Sequence, residues 1–220
     1  MTDTTPLAKG RLARNSLTVQ AILDAAERVA RAGFDALTIR SVATELEASP
    51  MALYRYFATK DDLVDALLNR VLGSFEQPDE TGNWLVDLET FAKNHYAMLM
   101  AASWAIVPLT GHPNPGSNAL PIGETALRIL SSGGVSDEDA VAAFSGIVAL
   151  NYGWASFVAA RPAGDTAPPS AIQAHRTPAA FPFTAAVSSA LSNYGSDAHY
   201  ERALMSFLTG LTVTITHGRG

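Results

Sequence analysis

Apolar residues recur every three or four positions along most of this chain, which is the spacing of amphipathic helices. Near the front, a short helix is predicted to begin after Thr38, a residue type favoured as an N-cap. A tight turn follows around 47–49. A second short helix begins at Ser49 and Pro50, because proline loses no hydrogen bond at the first helical position. Leu53 faces inward in this helix. Two short helices joined by such a turn form a helix-turn-helix, whose second helix can enter a DNA major groove.

The same spacing predicts helices on both sides of this element. One helix over 17–32 precedes it and another over 60–72 follows it. Pro78 and Gly82 then mark a domain boundary. Further helices are predicted at about 84–100, 120–130, 136–160, 181–194 and 197–216. The segment 104–115 contains several prolines, so any helix there is short or bent. The predicted fold class is all-α, with a small front domain and a larger helical domain behind it.

The predicted helix over 136–160 is apolar nearly all round. Such a helix is buried on several sides, as at the centre of a bundle or in a dimer interface. The helix over 197–216 also carries an apolar stripe, and Ser206 and Gly210 lie four residues apart, so another helix can approach closely. We expect these two helices to form most of a homodimer interface, as an isologous contact.

The charge of the chain is informative only when the charged residues of its two parts are counted separately. The net charge is −6, yet residues 1–75 hold nine basic and nine acidic side chains, so the acidity belongs to the remainder. The local distribution of basic residues therefore decides whether the front domain attracts phosphates. Residues 1–15 lack periodicity and are predicted to form a flexible arm. One interpretation is that this arm is an inert tail. The other is that it is a basic segment that follows the DNA backbone, since it carries Lys9, Arg11 and Arg14.

Composition excludes several kinds of site. There is no cysteine, which rules out disulfides and thiolate ligands. No two of the five histidines lie three to five residues apart, so the spacing of a helical metal site is missing. Phosphate-binding loops and nucleophile elbows are also missing. No apolar run approaches the roughly 18 residues of a membrane span, and no signal peptide begins the sequence. We expect a cytoplasmic protein with no membrane segment, metal, cofactor or catalytic residues.

The front of the chain resembles the DNA-binding domain of the TetR family of transcriptional repressors. The resemblance extends over roughly 55 residues and rests on the order and spacing of Ala-Gly-Phe at 32–34, Leu-Thr-Ile-Arg at 37–40 and Leu-Tyr-x-Tyr-Phe at 53–57. On helical spacing alone, a purely structural hairpin in a helical bundle is an equal alternative. By the resemblance, the residues that contact DNA are Arg40, Ser49, Met51, Ala52, Tyr54, Arg55 and Lys60.

The resemblance implies three parts: a flexible basic arm over 1–15, a helix-turn-helix DNA-binding domain over 16–75, and an effector-binding and dimerisation domain over 76–220. It implies a ligand-responsive repressor that binds a palindromic operator in double-stranded DNA as a homodimer. A small hydrophobic effector would release it. The alternative is a helical small-molecule-binding protein or enzyme whose N-terminal helices are structural.

The second domain has an apolar interior interrupted by a few polar groups. Aromatic walls there can bind a small apolar molecule, and His95 or Asn151 can orient it. Each residue alone is also explained as an ordinary member of the core. The residues expected to line this site are Phe91, His95, Met98, Trp104, Phe144, Val148, Asn151, Tyr152 and Phe157.

The order of features in the second domain resembles the tetracycline-repressor subgroup, although less closely than the front domain resembles the family. The departures fall on the residues that bind the drug. Glu76 and Pro108 stand where the tetracycline repressor has the two histidines of its drug–magnesium site, and Phe91 stands where it has a contacting asparagine. These departures argue against tetracycline as the ligand, and we predict no metal.

Overall fold

A computed structural model describes residues 17–112, 115–135, 137–161 and 181–217, and this part of the chain is helical without a strand. The arm predicted over 1–15 lies outside the described residues. The first group of helices comprises α1 (Val19–Ala32), α2 (Ile39–Glu45), α3 (Pro50–Leu53) and α4 (Lys60–Leu72). The second group comprises α5 (Trp84–Ala101), α6 (Ile106–Gly111), α7 (Ala119–Ser132), α8 (Asp137–Ala159), α9 (Pro182–Ala186) and α10 (Asp197–His217). The all-α prediction is confirmed.

Helices α2 and α3 begin where the sequence supplies a cap. The Thr38 hydroxyl accepts from the Ser41 amide at 3.0 Å, and the Ser41 hydroxyl accepts from the Thr38 amide at 2.9 Å, which closes a capping box. At the start of α3 the Ser49 hydroxyl accepts from the Ala52 amide at 3.3 Å, with Pro50 in the first helical position. The prediction of two capped helices is confirmed.

The turn between α2 and α3 passes through Glu47, whose φ of 51° lies in the left-handed region. That conformation costs a residue with a Cβ about 1–2 kcal/mol. Burial of Leu46 and Leu53, one on either side of the turn, stabilises the turn against this cost. Helix α3 therefore leaves the turn with a fixed direction although it is only four residues long.

The second group of helices is built around α5, which packs against α7, α8 and α10. Phe91 and Leu99 of α5 are fully buried in this core. Helices α8 and α10 approach closely, since a Cβ added to Gly146 would lie 2.6 Å from the ring of Phe207. This group thus forms a compact bundle with α8 and α10 side by side.

Two predictions about the second group need correction. The helix predicted over 181–194 is interrupted: α9 ends at Ala186, and a 3₁₀ turn over Ala190–Asn193 follows. Serines at 188 and 189 favour such a break, because their hydroxyls compete for backbone hydrogen bonds. The second correction concerns the expectation that no stretch is long and apolar enough for a membrane span, because α8 meets both criteria by length and composition alone. Within one chain, 22% of its most apolar window is buried, and the expectation that α8 is buried in a bundle or a dimer interface stays a prediction.

Candidate functional site

The outer face of α3 is the first candidate site. Leu53 and Phe57 face the core and are 0% and 7% exposed, whereas Met51 and Tyr54 are 72% and 47% exposed. Ala52, between them, is half-buried and adds little bulk. Slim side chains at this end of a helix let its backbone approach the base edges of a major groove. The inward and outward sets match the sequence prediction.

Basic side chains in the first group of helices divide into two sets. Three are held in ion pairs: Arg28 with Glu45, Arg31 with Glu27, and Arg70 with Asp24 and Glu27. Within the described residues, three others have no acidic partner and are exposed: Arg40, Arg55 and Lys60. These three surround α3. Because they are not neutralised by neighbouring carboxylates, this face can attract a phosphate backbone.

Tyr56 has a role that sequence reasoning missed. Its hydroxyl donates to the carbonyl of Leu17 at 2.6 Å. Leu17 comes just before Thr18, whose side chain caps α1, so this bond holds the start of the described chain next to α3. Helical spacing places Tyr56 on the exposed surface but gives no indication of its partner, which is 39 residues away.

Helix α4 is attached to α1 through Arg70. The guanidinium donates to the Asp24 carboxylate at 2.5 Å and to the carbonyl of Leu23 at 3.0 Å, and it also contacts the Glu27 carboxylate. The Arg70 side chain is only 26% exposed. Charge-assisted bonds of this kind, partly shielded from water, are stronger than exposed surface pairs. Helices α1 and α4 are thereby joined as one unit.

The other side of α4 is attached to the chain between α6 and α7. The Asn118 amide donates to the Asn69 side-chain oxygen at 2.9 Å, and the Asn118 side chain donates to the Asn69 carbonyl at 2.8 Å. Gly116 allows this approach, since a Cβ there would lie 2.5 Å from the Asn69 side chain. His112 Nδ1 lies 2.7 Å from the Asp65 carboxylate. We call these two contacts the α4 clasp: Asn69–Asn118 and Asp65–His112.

A buried polar network joins three helices of the second group. The Asn151 side-chain nitrogen donates to the carbonyl of Ala92 at 2.8 Å and to His95 Nδ1 at 3.0 Å. The Tyr200 hydroxyl donates to the Asn151 side-chain oxygen at 2.8 Å. The Ala92 carbonyl can only accept, which fixes the orientation of the amide. Asn151 thus uses both amide hydrogens, and Nδ1 of His95 is the accepting nitrogen.

Burial lowers the pKa of His95 to about 4, since the charged imidazolium would lose its hydration. The ring is therefore neutral at pH 7, with its proton on Nε2. Burial also raises the pKa of Tyr200. Both groups stay uncharged near neutrality, so this network binds through hydrogen bonds and carries no net charge.

The predicted effector-site residues are distributed over more than one location. Phe91, His95, Phe144 and Tyr152 form a chain of ring contacts next to Asn151, with centroid distances of 5.9 to 6.4 Å. Two other predicted residues have ring partners elsewhere. Trp104 stacks on Phe34 with centroids 6.3 Å apart, and Phe157 meets Tyr194 at 5.2 Å. Met98 is a buried core residue and Val148 is partly buried.

A cavity of about 320 Å³ lies at the C-terminal end of α8. Of the residues expected to bind an effector, it includes Phe157 alone. Sequence reasoning missed the others, in part because Tyr194 was assigned to a continuous helix, although Gly195 with φ of +74° ends that segment. The lining residues are Gly153, Trp154, Phe157, Tyr194, Gly195 and His199.

Comparison with known families identifies both halves of the chain. Residues 22–67 match the model described as bacterial regulatory proteins, tetR family, and residues 77–215 match the tetracyclin repressor-like C-terminal domain. The second match alone covers more than half of the sequence. The chain belongs to the TetR family of bacterial regulatory proteins. The first match contains α2, α3 and most of α4, and the second contains the polar network and the cavity.

Relatives of this TetR-family regulator include curated and solved proteins. The HTH-type transcriptional repressor DrrR1 of Streptomyces coeruleorubidus is 32% identical over 131 residues, which are 58% of this chain and 48% of that protein. An HTH-type transcriptional regulator of Saccharopolyspora erythraea is 33% identical over 138 residues, covering 62% and 58%. The chain thus spans about half the length of these curated relatives. The structure of ActR from Streptomyces coelicolor in complex with actinorhodin has a TM-score of 0.79 at 25% identity, covering 91% of this chain and 97% of ActR.

Metal binding has no structural support in the part of the regulator that the structure describes. Histidine, aspartate and glutamate side chains there form no group of three or more that could hold a metal ion. The absence of a metal in the whole protein stays a prediction.

The lowered pKa of His95 predicts a pH-dependent stability. Between pH 6.5 and about 4 the unfolded chain binds a proton at His95 that the folded chain does not bind. The free energy of unfolding should therefore fall as the pH is lowered through this window, with a contribution from this group of up to about 1.4 kcal/mol per pH unit. Urea unfolding at pH 7, 6 and 5 measures it. His95→Gln should remove this contribution and His199→Gln should retain it, whereas parallel curves for His95→Gln and the wild type would contradict the assignment.

Proposed function

We propose that this TetR-family chain is a ligand-responsive transcriptional repressor of the bacterial cytoplasm. The observation that carries the proposal is the outer face of α3, where slim exposed residues are surrounded by three basic side chains without acidic partners in the described chain. A double-stranded DNA operator fits such a face. The name of DrrR1 as a transcriptional repressor supports the direction of regulation.

Individual roles follow from position on that face. In this proposal Ser49, Met51 and Ala52, at the start of α3, reach base edges, and Tyr54, just after its last residue, contacts phosphates. Arg40, Arg55 and Lys60 contribute charge around them. Tyr56 contributes indirectly, because its bond to Leu17 holds the residue before the N-cap of α1 next to α3. The domain division proposed from sequence assigns this face to residues 16–75 and effector binding to residues 76–220.

We infer that the functional unit is a homodimer joined through α8 and α10. Helix α8 is the most apolar long helix of the described chain, yet only 22% of its most apolar window is buried within one copy. Val141 of α8 and Met205 of α10 are 56% and 46% exposed. Ser206 and Gly210 of α10 are exposed and small, so a second helix can approach closely. A second copy of this chain covers this surface in an isologous contact, and two heads then address a palindromic operator.

The α4 clasp supplies a route from effector to operator. Helix α4 is bonded to α1 through Arg70 and to the segment before α7 through Asn69. A ligand that shifts this segment therefore moves α4 together with the DNA-binding helices, and changes the separation of the two heads. The equilibrium shifts only by the difference in ligand affinity between the two arrangements.

The effector is a small molecule bound within residues 76–220. Solved relatives support this kind of ligand, because ActR is described in complex with actinorhodin and a TetR variant of Acinetobacter baumannii in complex with minocycline. Here the buried chain of rings around His95 is a core with satisfied polar groups, while the open cavity at Phe157 offers space. Asn151 acts by holding His95 and Tyr200 in place. The competing function, an enzyme or carrier with structural front helices, predicts turnover or transport without selective DNA binding.

Lys60→Ala should weaken DNA binding for every sequence. Removing one phosphate contact lowers the slope of log K against log salt by about 0.9. Fluorescence anisotropy with selected operator fragments and with random DNA, between 50 and 300 mM salt, measures it. Arg28→Ala is the matched control, because Arg28 is already paired with Glu45 at 2.7 Å.

Ala52→Ser should instead change which DNA sequence is preferred. Unchanged DNA binding in both Lys60→Ala and Ala52→Ser, with the fold intact, would reject this face.

Ala149→Arg should separate the dimer into single chains. Ala149 is an exposed position of α8, and a charge there has no partner when two apolar helices meet. Light scattering should give the mass of two chains for the wild type and of one chain for the variant. Val86→Arg, at an exposed apolar residue of α5, is the control and should remain dimeric. A monomeric wild type that floats with lipid vesicles would contradict the dimer and favour a membrane as the cover of α8.

Asn118→Ala should loosen the attachment of α4 without unfolding the chain. The substitution removes the side-chain hydrogen bond to the Asn69 carbonyl, which contributes about 1 kcal/mol, and keeps the bond donated by the backbone amide of residue 118. The sequence has no cysteine, so a single Asp35→Cys spin label on each protomer reports the separation of the heads by pulsed electron resonance. The distance distribution should broaden in Asn118→Ala. It should stay narrow in Asn94→Ala, which loses a bond to the Glu76 carbonyl instead. Identical distributions in all three proteins would exclude the clasp as the connection.

A further inference from the structure

The cavity at the C-terminal end of α8 has three aromatic walls. Phe157 and Tyr194 meet edge to face, with ring planes at 83° and centroids 5.2 Å apart. Trp154 lies on the α8 side, and its ring is 6.0 Å from that of Tyr200. Phe157 and Tyr194 are 37% and 44% exposed, so the walls are open to a ligand. A cavity of about 320 Å³ lies within the range that holds a drug-sized molecule.

A half-buried cation lies at the rim of this cavity. The guanidinium carbon of Arg161 is 4.1 Å from the centroid of the Phe157 ring and 5.8 Å from that of Tyr194. No carboxylate forms an ion pair with it in the described part of the chain. Gly195 makes the arrangement possible, because a Cβ there would lie 2.5 Å from an Arg161 nitrogen and 2.2 Å from the Phe157 ring.

Trp154 and Gly153 form the α8 side of the cavity. Gly153 leaves space there, since a Cβ at this position meets no atom within 4 Å. The cavity thus combines apolar aromatic walls with a positive charge that has no acidic partner in the described part of the chain.

We propose that this cavity binds a planar aromatic anion. The ring system of the ligand packs against the aromatic side chains that line the cavity, and its negative group lies against Arg161. An acidic phenol, a carboxylate or a sulfonate on a fused ring system has this chemistry. The inference rests on the proposed function and deepens it, because it names the chemical class of the effector and its location.

The location also connects the ligand to the rest of the bundle. Tyr200 contacts Trp154 on one side and donates to Asn151 on the other. Asn151 in turn bonds to the carbonyl of Ala92 and to His95, both in α5. A ligand that moves Trp154 therefore acts directly on the network that joins α5, α8 and α10.

Fluorescence titration with 1-anilinonaphthalene-8-sulfonate tests the proposal on the full chain. This probe is an aromatic anion, and N-phenyl-1-naphthylamine is its uncharged analogue. We expect one sulfonate probe to bind per chain, with affinity falling about tenfold in Arg161→Leu. The uncharged probe should change less than twofold in Arg161→Leu. Gly153→Leu should fill the cavity and abolish binding of both probes, whereas Phe183→Ala, at a surface residue that is 88% exposed, should bind as the wild type does.

The outcomes separate this proposal from the proposed function. Equal sulfonate binding in the wild type, Arg161→Leu and Gly153→Leu would overturn the site, and so would equal affinity of the wild type for the two probes. Operator binding is measured in parallel on each variant. Intact operator binding with no probe binding rejects the cavity alone, whereas probe binding without any selective DNA binding rejects the repressor and leaves the cavity. If the sulfonate lowers the operator affinity of the wild type but not that of Arg161→Leu, both the cavity site and the repressor function are supported.

Discussion

The position of the DNA-binding head depends on the attachment of α4 to both of its neighbours. Arg70 bonds it to α1, and the preceding residue, Asn69, bonds it to the segment before α7. Adjacent residues of a helix point in different directions, so one turn of α4 serves both partners. A second contact between the two groups of helices is the stack of Trp104 on Phe34, which comes just before α2. The orientation of the two groups is therefore set by this turn of α4 together with that stack.

Local features of the fold were predictable because their causes are local. Thr38, Ser49 and Pro50 cap helices through contacts with residues at most three positions away, so the sequence alone places the helix-turn-helix. The inward positions of Leu53 and Phe57 follow from helical spacing in the same way. The break at Ala186 was missed, since a short apolar stretch with serines is compatible with one helix or with two turns.

Contacts between distant parts of the chain were not predictable from spacing. Arg70 and Asp24 are 46 residues apart, and Asn69 and Asn118 are 49 apart. Among the predicted effector-site residues, Phe91 and His95 lie four residues apart on one helix and their rings stack, with centroids 6.3 Å apart. Trp104 was predicted with them, but its ring partner Phe34 belongs to the first group of helices. Trp154 and Tyr194 line the cavity and were not predicted, because the shape of a cavity depends on which surfaces meet.

Some residues of α3 and its C-terminal flank stabilise the fold, whereas others are exposed, and this separation has an evolutionary consequence. The start of α3 is fixed by Ser49 and Pro50 and its inner side by Leu53 and Phe57, while Met51 and Tyr54 are exposed. In the proposed function, mutations at these outer positions change the surface offered to DNA at little expense to folding. A duplicated copy of this gene can then acquire a new target sequence by drift at a few codons, while its remaining architecture is inherited unchanged.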